Sequence, residues 1–176
     1  MERPPTVLLT FKIERSIVYE IGVLLLNNEG DLKMTKINVE KEIWVEAKPE
    51  IVFEAITTAD QMMEWWGDPF EIEELTPGAA IYFGRDESRK TMKVEKVTPP
   101  KKIAIRWPTP EAYGKAVILT TFDLKKERGG TRVKVTETGF EWLAPEVRTR
   151  RMEGTGDTYK RMLGKLKLYA EYRARL

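Results

Sequence analysis

Residues 145–176 read PEVRTRRMEGTGDTYKRMLGKLKLYAEYRARL, and this stretch decides the fold. Tyr159, Met162, Leu163, Leu166, Tyr169 and Ala170 stand at offsets 0, 3, 4, 7, 10 and 11, the spacing that gathers side chains on one face of an α-helix. Lys160, Arg161, Lys165, Lys167, Glu171 and Arg175 fall on the other side, where water solvates charges that are costly to bury. The pattern predicts one long amphipathic helix. The chain between about Lys36 and Glu141 reads instead as short strands. Strands need a second layer to cover their apolar face, and the helix is the expected layer. The functional question is what lies between the two.

The strands are delimited by turn residues. Phe70–Leu75 stops at Thr76-Pro77-Gly78, Ala79–Arg85 at the charged run Asp86–Arg89, Lys90–Val97 at Pro99-Pro100, and Lys101–Trp107 at Pro108-Thr109-Pro110. Lys115–Lys125 and Thr131–Phe140 are joined through Arg128-Gly129-Gly130, a tight hairpin signal. Successive strands with such short links are antiparallel neighbours. Upstream, Ile37–Ala47 carries Ile37, Val39, Ile43 and Val45 among charged residues, a half-buried strand whose strict alternation fails between Val39 and Ile43. Pro49 beside Glu50 then suits a helix start. Ile51, Val52, Phe53, Ala55 and Ile56 supply that helix, and Met62, Met63, Trp65 and Trp66 a second one, ended by Gly67 and Pro69. The expected order is therefore β-α-α-β6-α, an α+β domain.

Composition narrows the chemistry. The 176 residues suit one domain with a sizeable core, and 41% hydrophobic with 33% charged residues describes a globular protein with a charged surface. Neither cysteine nor histidine occurs. Disulfides, thiolate or imidazole catalysis, and the usual zinc and haem ligands are thereby excluded. Net charge is +2, but residues 145–176 hold nine Lys/Arg against four Asp/Glu, while residues 35–144 hold seventeen against nineteen. The basic surplus is spread along a helix without a dense cluster, which favours a solvated face over a nucleic-acid partner. No apolar run approaches the roughly 18 residues of a membrane span, and no secretory leader is visible. A cytoplasmic protein without a cofactor is the expectation.

Residues 1–34 stand apart. One reading is a β-hairpin of Thr6–Ile13 and Ser16–Leu26 turning near Glu14 and Arg15. The other takes Met34 as the native start, because Thr35-Lys36-Ile37-Asn38-Val39 opens a strand at once and Glu29-Gly30-Asp31 can be encoded by a purine-rich run like a ribosome-binding site. The domain boundary is accordingly expected between residues 34 and 35.

From about Ile37 to Tyr172 the chain resembles the bacterial homologues of the heat-shock-protein-90 ATPase activator, in the START-like (SRPBCC, helix-grip) superfamily. The resemblance rests on Pro49-Glu50-Ile51-Val52-Phe53-Glu54-Ala55-Ile56-Thr57, Trp65-Trp66-Gly67 and Thr76-Pro77-Gly78, in that order. It continues through Val94-Glu95-Lys96-Val97-Thr98-Pro99-Pro100-Lys101-Lys102-Ile103, Gly130-Thr131-Arg132-Val133 and Thr138-Gly139-Phe140. Thr158-Tyr159 stands where the family often has Gly-Trp, and Pro77-Gly78 is followed by alanines instead of a second glycine. The resemblance implies a seven-stranded curved antiparallel sheet wrapped around the C-terminal helix, with an elongated cavity between them. It implies an apolar small-molecule ligand such as a lipid, flavonoid or polyketide, or a chaperone partner. A few relatives in the superfamily are cyclases or other enzymes, and no universal catalytic residue is implied.

Within that frame the candidate ligand-binding residues are Trp65, Trp66, Phe83, Trp107, Phe122, Glu137, Tyr159, Met162 and Leu163. Two adjacent indoles on a short helix cannot both enter one core, so one of Trp65 and Trp66 is expected at the cavity mouth and the other in the packing. In the last strand Thr131, Val133, Val135 and Glu137 share a face. The apolar members mark it as the inner face, so Glu137 is expected to point inward. A buried carboxylate needs a partner or a proton, and Arg85 or Arg106 is the expected partner. A structural ion pair, a ligand anchor and a general base are the three roles open to it. Glu71, Glu73 and Glu74 read as a solvated strand edge, since no calcium-type loop accompanies them. Gly154 and Gly156 do not follow a strand as a phosphate loop would, and are expected to kink or delay the helix.

Overall fold

The computed structural model describes residues 22–26, 32–110 and 116–176. The chain divides after Ile37. In the first part β1 (Gly22–Leu26) pairs antiparallel with β2 (Leu32–Lys36), Leu24 lying opposite Met34. The hairpin found is therefore not the one expected around Glu14, which lies outside the described residues. Thr35 and Lys36 finish β2 instead of opening the following strand.

The second part carries β3 (Val39–Val45), α1 (Pro49–Thr57), α2 (Ala59–Trp66), β4 (Phe70–Ile72), β5 (Ala80–Phe83), β6 (Lys90–Thr98), β7 (Lys102–Arg106), β8 (Leu119–Glu127), β9 (Gly130–Thr138) and α3 (Pro145–Arg173). Its seven strands form one antiparallel sheet in the order β3-β9-β8-β7-β6-β5-β4. The first strand pairs with the last, and the remaining neighbours are consecutive in sequence. A register shift between Val94 and Lys96 marks a bulge in β6, and bulges bend the strand that carries them. The β8–β9 loop is only Arg128-Gly129, both at positive φ (52° and 79°), the conformation that continues strand twist through a two-residue turn. Gly130 is thus the first residue of β9. A Cβ there would lie 2.3 Å from the Val45 carbonyl oxygen and 2.8 Å from the Trp44 ring, so only glycine lets β3 cross so closely.

The inner face alternates as the pleat requires. Thr131, Val133, Val135 and Glu137 of β9 are buried, beside Thr120, Phe122 and Leu124 of β8. Ile103 and Ile105 of β7 continue the layer to Val94 of β6. Against this face α3 buries Thr155, Tyr159, Leu163, Leu166 and Ala170. The helix begins at Pro145 and runs unbroken through Gly154 and Gly156, so the glycines do not delay it.

Two of the charges expected in water do other work. Lys167 donates to the Trp44 carbonyl at 3.0 Å and to Glu171, and Glu171 accepts the Glu46 backbone N–H at 2.9 Å. These bonds occupy backbone groups that edge strand β3 leaves unpaired, closing an edge that would otherwise invite another strand. Lys160, Arg161 and Lys165 remain exposed.

Leu163 and Leu166 are 3% and 0% exposed. Replacing either with Ala is expected to cost about 2 to 5 kcal/mol, whereas Lys165→Ala should stay within about 0.5 kcal/mol. Urea unfolding of the three variants checks the assignment, and equal losses at all three sites would refute it.

Candidate functional site

The buried apolar stripe of α3 begins only at Tyr159. Toward the N-terminus of the helix Val147, Arg151, Gly154, Thr155 and Thr158 line a cavity of about 780 Å³ between helix and sheet, with Val147 and Gly154 on its exposed side. A Cβ on Gly154 would find nothing within 4 Å. The opposite wall comes from the end of α2 and from strand ends, with Trp66, Phe83, Trp107, Pro108 and Ile118. Lys90, Glu146 and Arg150 complete the lining, all three of them exposed.

Aromatic rings form one side of this space. Trp66 meets Phe83 edge-on at 5.5 Å between centroids, and Phe83 meets Trp107 at 6.2 Å. Such tilted pairs are the favoured arrangement of ring quadrupoles. Trp65 leans on Trp66 at 5.4 Å but turns away from the cavity, 4% exposed, with its indole N–H donating to the Ala55 carbonyl at 2.7 Å. The two neighbouring indoles thus occupy different environments, Trp66 against the cavity and Trp65 in the packing.

The inner end is polar. Glu137, 2% exposed, receives Thr120 Oγ1 at 2.9 Å and the Tyr159 hydroxyl on Oε2. Its Oε1 receives Thr155 Oγ1 at 3.3 Å and Arg151 Nη2 at 3.5 Å. Trp107 Nε1 extends the network by donating to Thr120 Oγ1 at 2.8 Å. The partner of Glu137 is therefore Arg151, not Arg85 or Arg106. Arg85 is exposed, and Arg106 pairs with Glu95 at 2.8 Å. Strand parity sends Arg106 to the face opposite Ile105, whereas Arg151 reaches Glu137 from the other layer, across a gap that parity says nothing about.

Four donors match roughly what a carboxylate can accept. Glu137 is thus held by its own protein, and taking a proton from a ligand would require one of these bonds to open. Burial pushes the Tyr159 hydroxyl well above its ordinary pKa, and the Glu137 charge and hydrogen bond push the same way against the opposing Thr120 and Arg151. Tyr159 stays a protonated donor. Among the described residues no group of acidic side chains is arranged to hold a metal ion. Glu71 and Glu73 are engaged on the sheet edge by Arg89 and the Tyr82 hydroxyl, at 2.8 and 2.7 Å.

Of the residues singled out from the sequence, the cavity brings together Trp66, Phe83, Trp107, Glu137 and Tyr159. Trp65, Phe122, Met162 and Leu163 do not line it. Phe122 lies between Ile103 and Val135 in the packed part of the sheet, Leu163 is one turn past Tyr159 in the packed part of the helix, and Met162 is half-buried. Sequence reasoning missed Arg151, Gly154, Thr155 and Thr158. The signal for them was a thinning of the stripe: between Met152 and Tyr159 the helix carries only Glu153, Gly154, Thr155, Gly156, Asp157 and Thr158, none of them large and apolar.

The sequence profile described as "Activator of Hsp90 ATPase homolog 1-like protein" matches residues 46–171, well over half of the chain. The chain belongs to this family. Among solved structures, the Aha1 dimer from Colwellia psychrerythraea is similar at 25% identity, with a TM-score of 0.62 over 76% of this chain and 96% of that one. Protein MLL2253 from Mesorhizobium loti, 19% identical, superposes with a TM-score of 0.65 over 77% and 97% of the two chains. CalU16 from Micromonospora echinospora, 14% identical, has a TM-score of 0.60 over 84% and 82%. The last two support the helix-grip fold alone. No curated protein is similar enough in sequence to match this member of the Hsp90 ATPase activator-like family. Among the described residues no helix is long and apolar enough to cross a membrane.

Tyr159→Phe deletes one donor to Glu137 and is expected to cost about 1 to 3 kcal/mol at neutral pH. Folding raises the Tyr159 pKa above its ordinary 10.0, so the folded state holds this proton more tightly. The stability it contributes is present below pH 10 and is lost as pH rises beyond it. The gap between wild type and variant in urea unfolding should therefore narrow above that pH. A constant gap would show that the hydroxyl is not the coupled group.

Proposed function

We propose that the protein binds a hydrophobic or amphipathic small molecule, of lipid, flavonoid or polyketide type, in the cavity between the sheet and α3. The observation that carries this reading is the cavity itself. Its volume of about 780 Å³ falls within the roughly 300 to 1,000 Å³ usual for ligand sites, and an unbroken aromatic run lines one side. Trp66, Phe83 and Trp107 offer apolar area, while Glu137 and Tyr159 close the inner end. Binding without turnover fits best, because the donors around Glu137 are already committed to it. A cytoplasmic location and the absence of a cofactor go with this reading.

A second reading, as a co-factor that stimulates a chaperone ATPase, is supported by the family description and by the Aha1 neighbour. It would operate through the outer surface, and the two readings separate on one variant. Gly154→Trp places an indole where a Cβ meets nothing within 4 Å and replaces a residue that is weak in a helix interior. A panel of lipids, flavonoids and polyketide-like compounds should contain members that both change tryptophan emission and raise the melting temperature of the wild type. A hundredfold excess over the dissociation constant stabilises by about 2.7 kcal/mol. Gly154→Trp should lose both responses while keeping its circular dichroism. Stimulation of a purified Hsp90-type ATPase that persists in this variant, with no compound active on the wild type, would put the chaperone reading first.

A further inference from the structure

Among the described residues the cavity rim carries three cations, Lys90, Arg150 and Arg151, against two acids, Glu137 and Glu146. Glu137 already receives four contacts and cannot neutralise more than Arg151, which it meets only at 3.5 Å. Arg151 meets Glu137 through Nη2, and its side chain is 40% exposed. A guanidinium carries five N–H donors, so this one has donors to offer an acceptor oxygen from whatever enters.

Lys90 stands directly opposite Phe83 in the β5–β6 register, which puts its ammonium stem beside the middle ring of the aromatic run. Arg150 and Gly154 are one helical turn apart on α3, so the second cation borders the gap in the helix wall. Cations therefore flank the aromatic wall from both layers. The Trp107 N–H is spent on Thr120, which leaves that ring to contribute area and no donor.

We propose that the ligand is an anionic aromatic or conjugated amphiphile, whose apolar body packs among the Trp66, Phe83 and Trp107 rings and whose carboxylate, or an equivalent acidic group, is received by Arg151, Arg150 and Lys90. This rests on the cavity reading above and adds the sign of the ligand charge. A neutral lipid of the same size would bring the rim cations no counter-charge. An anion supplies both the acceptor oxygens and the charge, in a partly desolvated site where charge-assisted bonds are strong.

The test compares two fluorescent probes of similar shape, anionic anilinonaphthalene sulfonate and neutral N-phenylnaphthylamine, on the folded protein. Both should bind, the sulfonate at least several-fold more tightly and with an affinity that falls as salt is raised, since salt screens exposed charge. The double variant Lys90→Gln/Arg150→Gln should weaken the sulfonate by roughly tenfold and leave the neutral probe unchanged. A control with the same charge loss outside the cavity, Arg161→Gln/Lys165→Gln, should alter neither. Naphthoic acid should displace the bound neutral probe better than its methyl ester. Equal affinity for the two probes, or equal losses in the cavity and control variants, overturns the anion proposal while leaving the cavity reading intact. Failure of both probes to bind, or binding that survives Gly154→Trp, removes the cavity reading and this inference together.

Discussion

A carboxylate inside a protein has to be held by donors, and in this fold the holding determines where helix and sheet meet. Glu137 sits near the end of β9, and its donors come from β8 (Thr120) and from three successive turns of α3 (Arg151, Thr155 and Tyr159). Apolar contacts alone tolerate sliding, because area is non-directional. Hydrogen bonds of fixed length do not. The network therefore acts as a register pin between layers, and removing one member would leave a charge uncompensated rather than merely exposing surface.

Below that pin α3 is packed, and above it the helix stands off. Leu163, Leu166 and Ala170 fill the sheet side of the C-terminal half, while Lys167 and Glu171 bind the backbone of edge strand β3. The N-terminal half carries threonine, glycine and arginine on the corresponding face. Apart from the hydrogen bonds of Arg151 and Thr155 to Glu137, little apolar area draws this half onto the sheet, and Arg148 ties it instead to the preceding loop, donating to the Glu141 and Leu143 carbonyls at 3.2 and 3.0 Å. One helix thus seals the core at one end and leaves it hollow at the other. Stability and ligand space are assigned to different turns of the same element.

The approach of the backbone at the rim follows a similar division. Gly139 adopts φ +100°, and a Cβ there would lie 2.0 Å from the Val117 carbonyl oxygen. This contact lets the chain leave β9 tightly beside the start of β8 and turn toward α3. Substituting a side chain would push apart the two segments that carry Ile118 and Glu137 into the cavity. The family motif Thr138-Gly139-Phe140 has a steric reason at its centre.

Local pattern decided much of this molecule in advance. Helical spacing from Tyr159 to Ala170, period-two alternation in β9, and turns marked by proline, glycine or, at Asp86–Arg89, a charged run were enough to determine element order and the inward direction of Glu137, because these depend on residues near one another in sequence. The antiparallel succession of the later six strands followed from short links, whereas the pairing of β3 with β9 joins the two ends of the sheet and no link reports it. The sequence did not reveal that Arg151 would meet Glu137 or that Phe122 and Leu163 would lie in packed rather than hollow core. Nor did it tell which of Trp65 and Trp66 faces the cavity. These depend on the distance between two layers at a given turn of α3, a quantity set by every side chain along the interface at once. Periodicity reports which way a residue points; only the packed tertiary structure determines how far it must reach and whether anything is there to meet it.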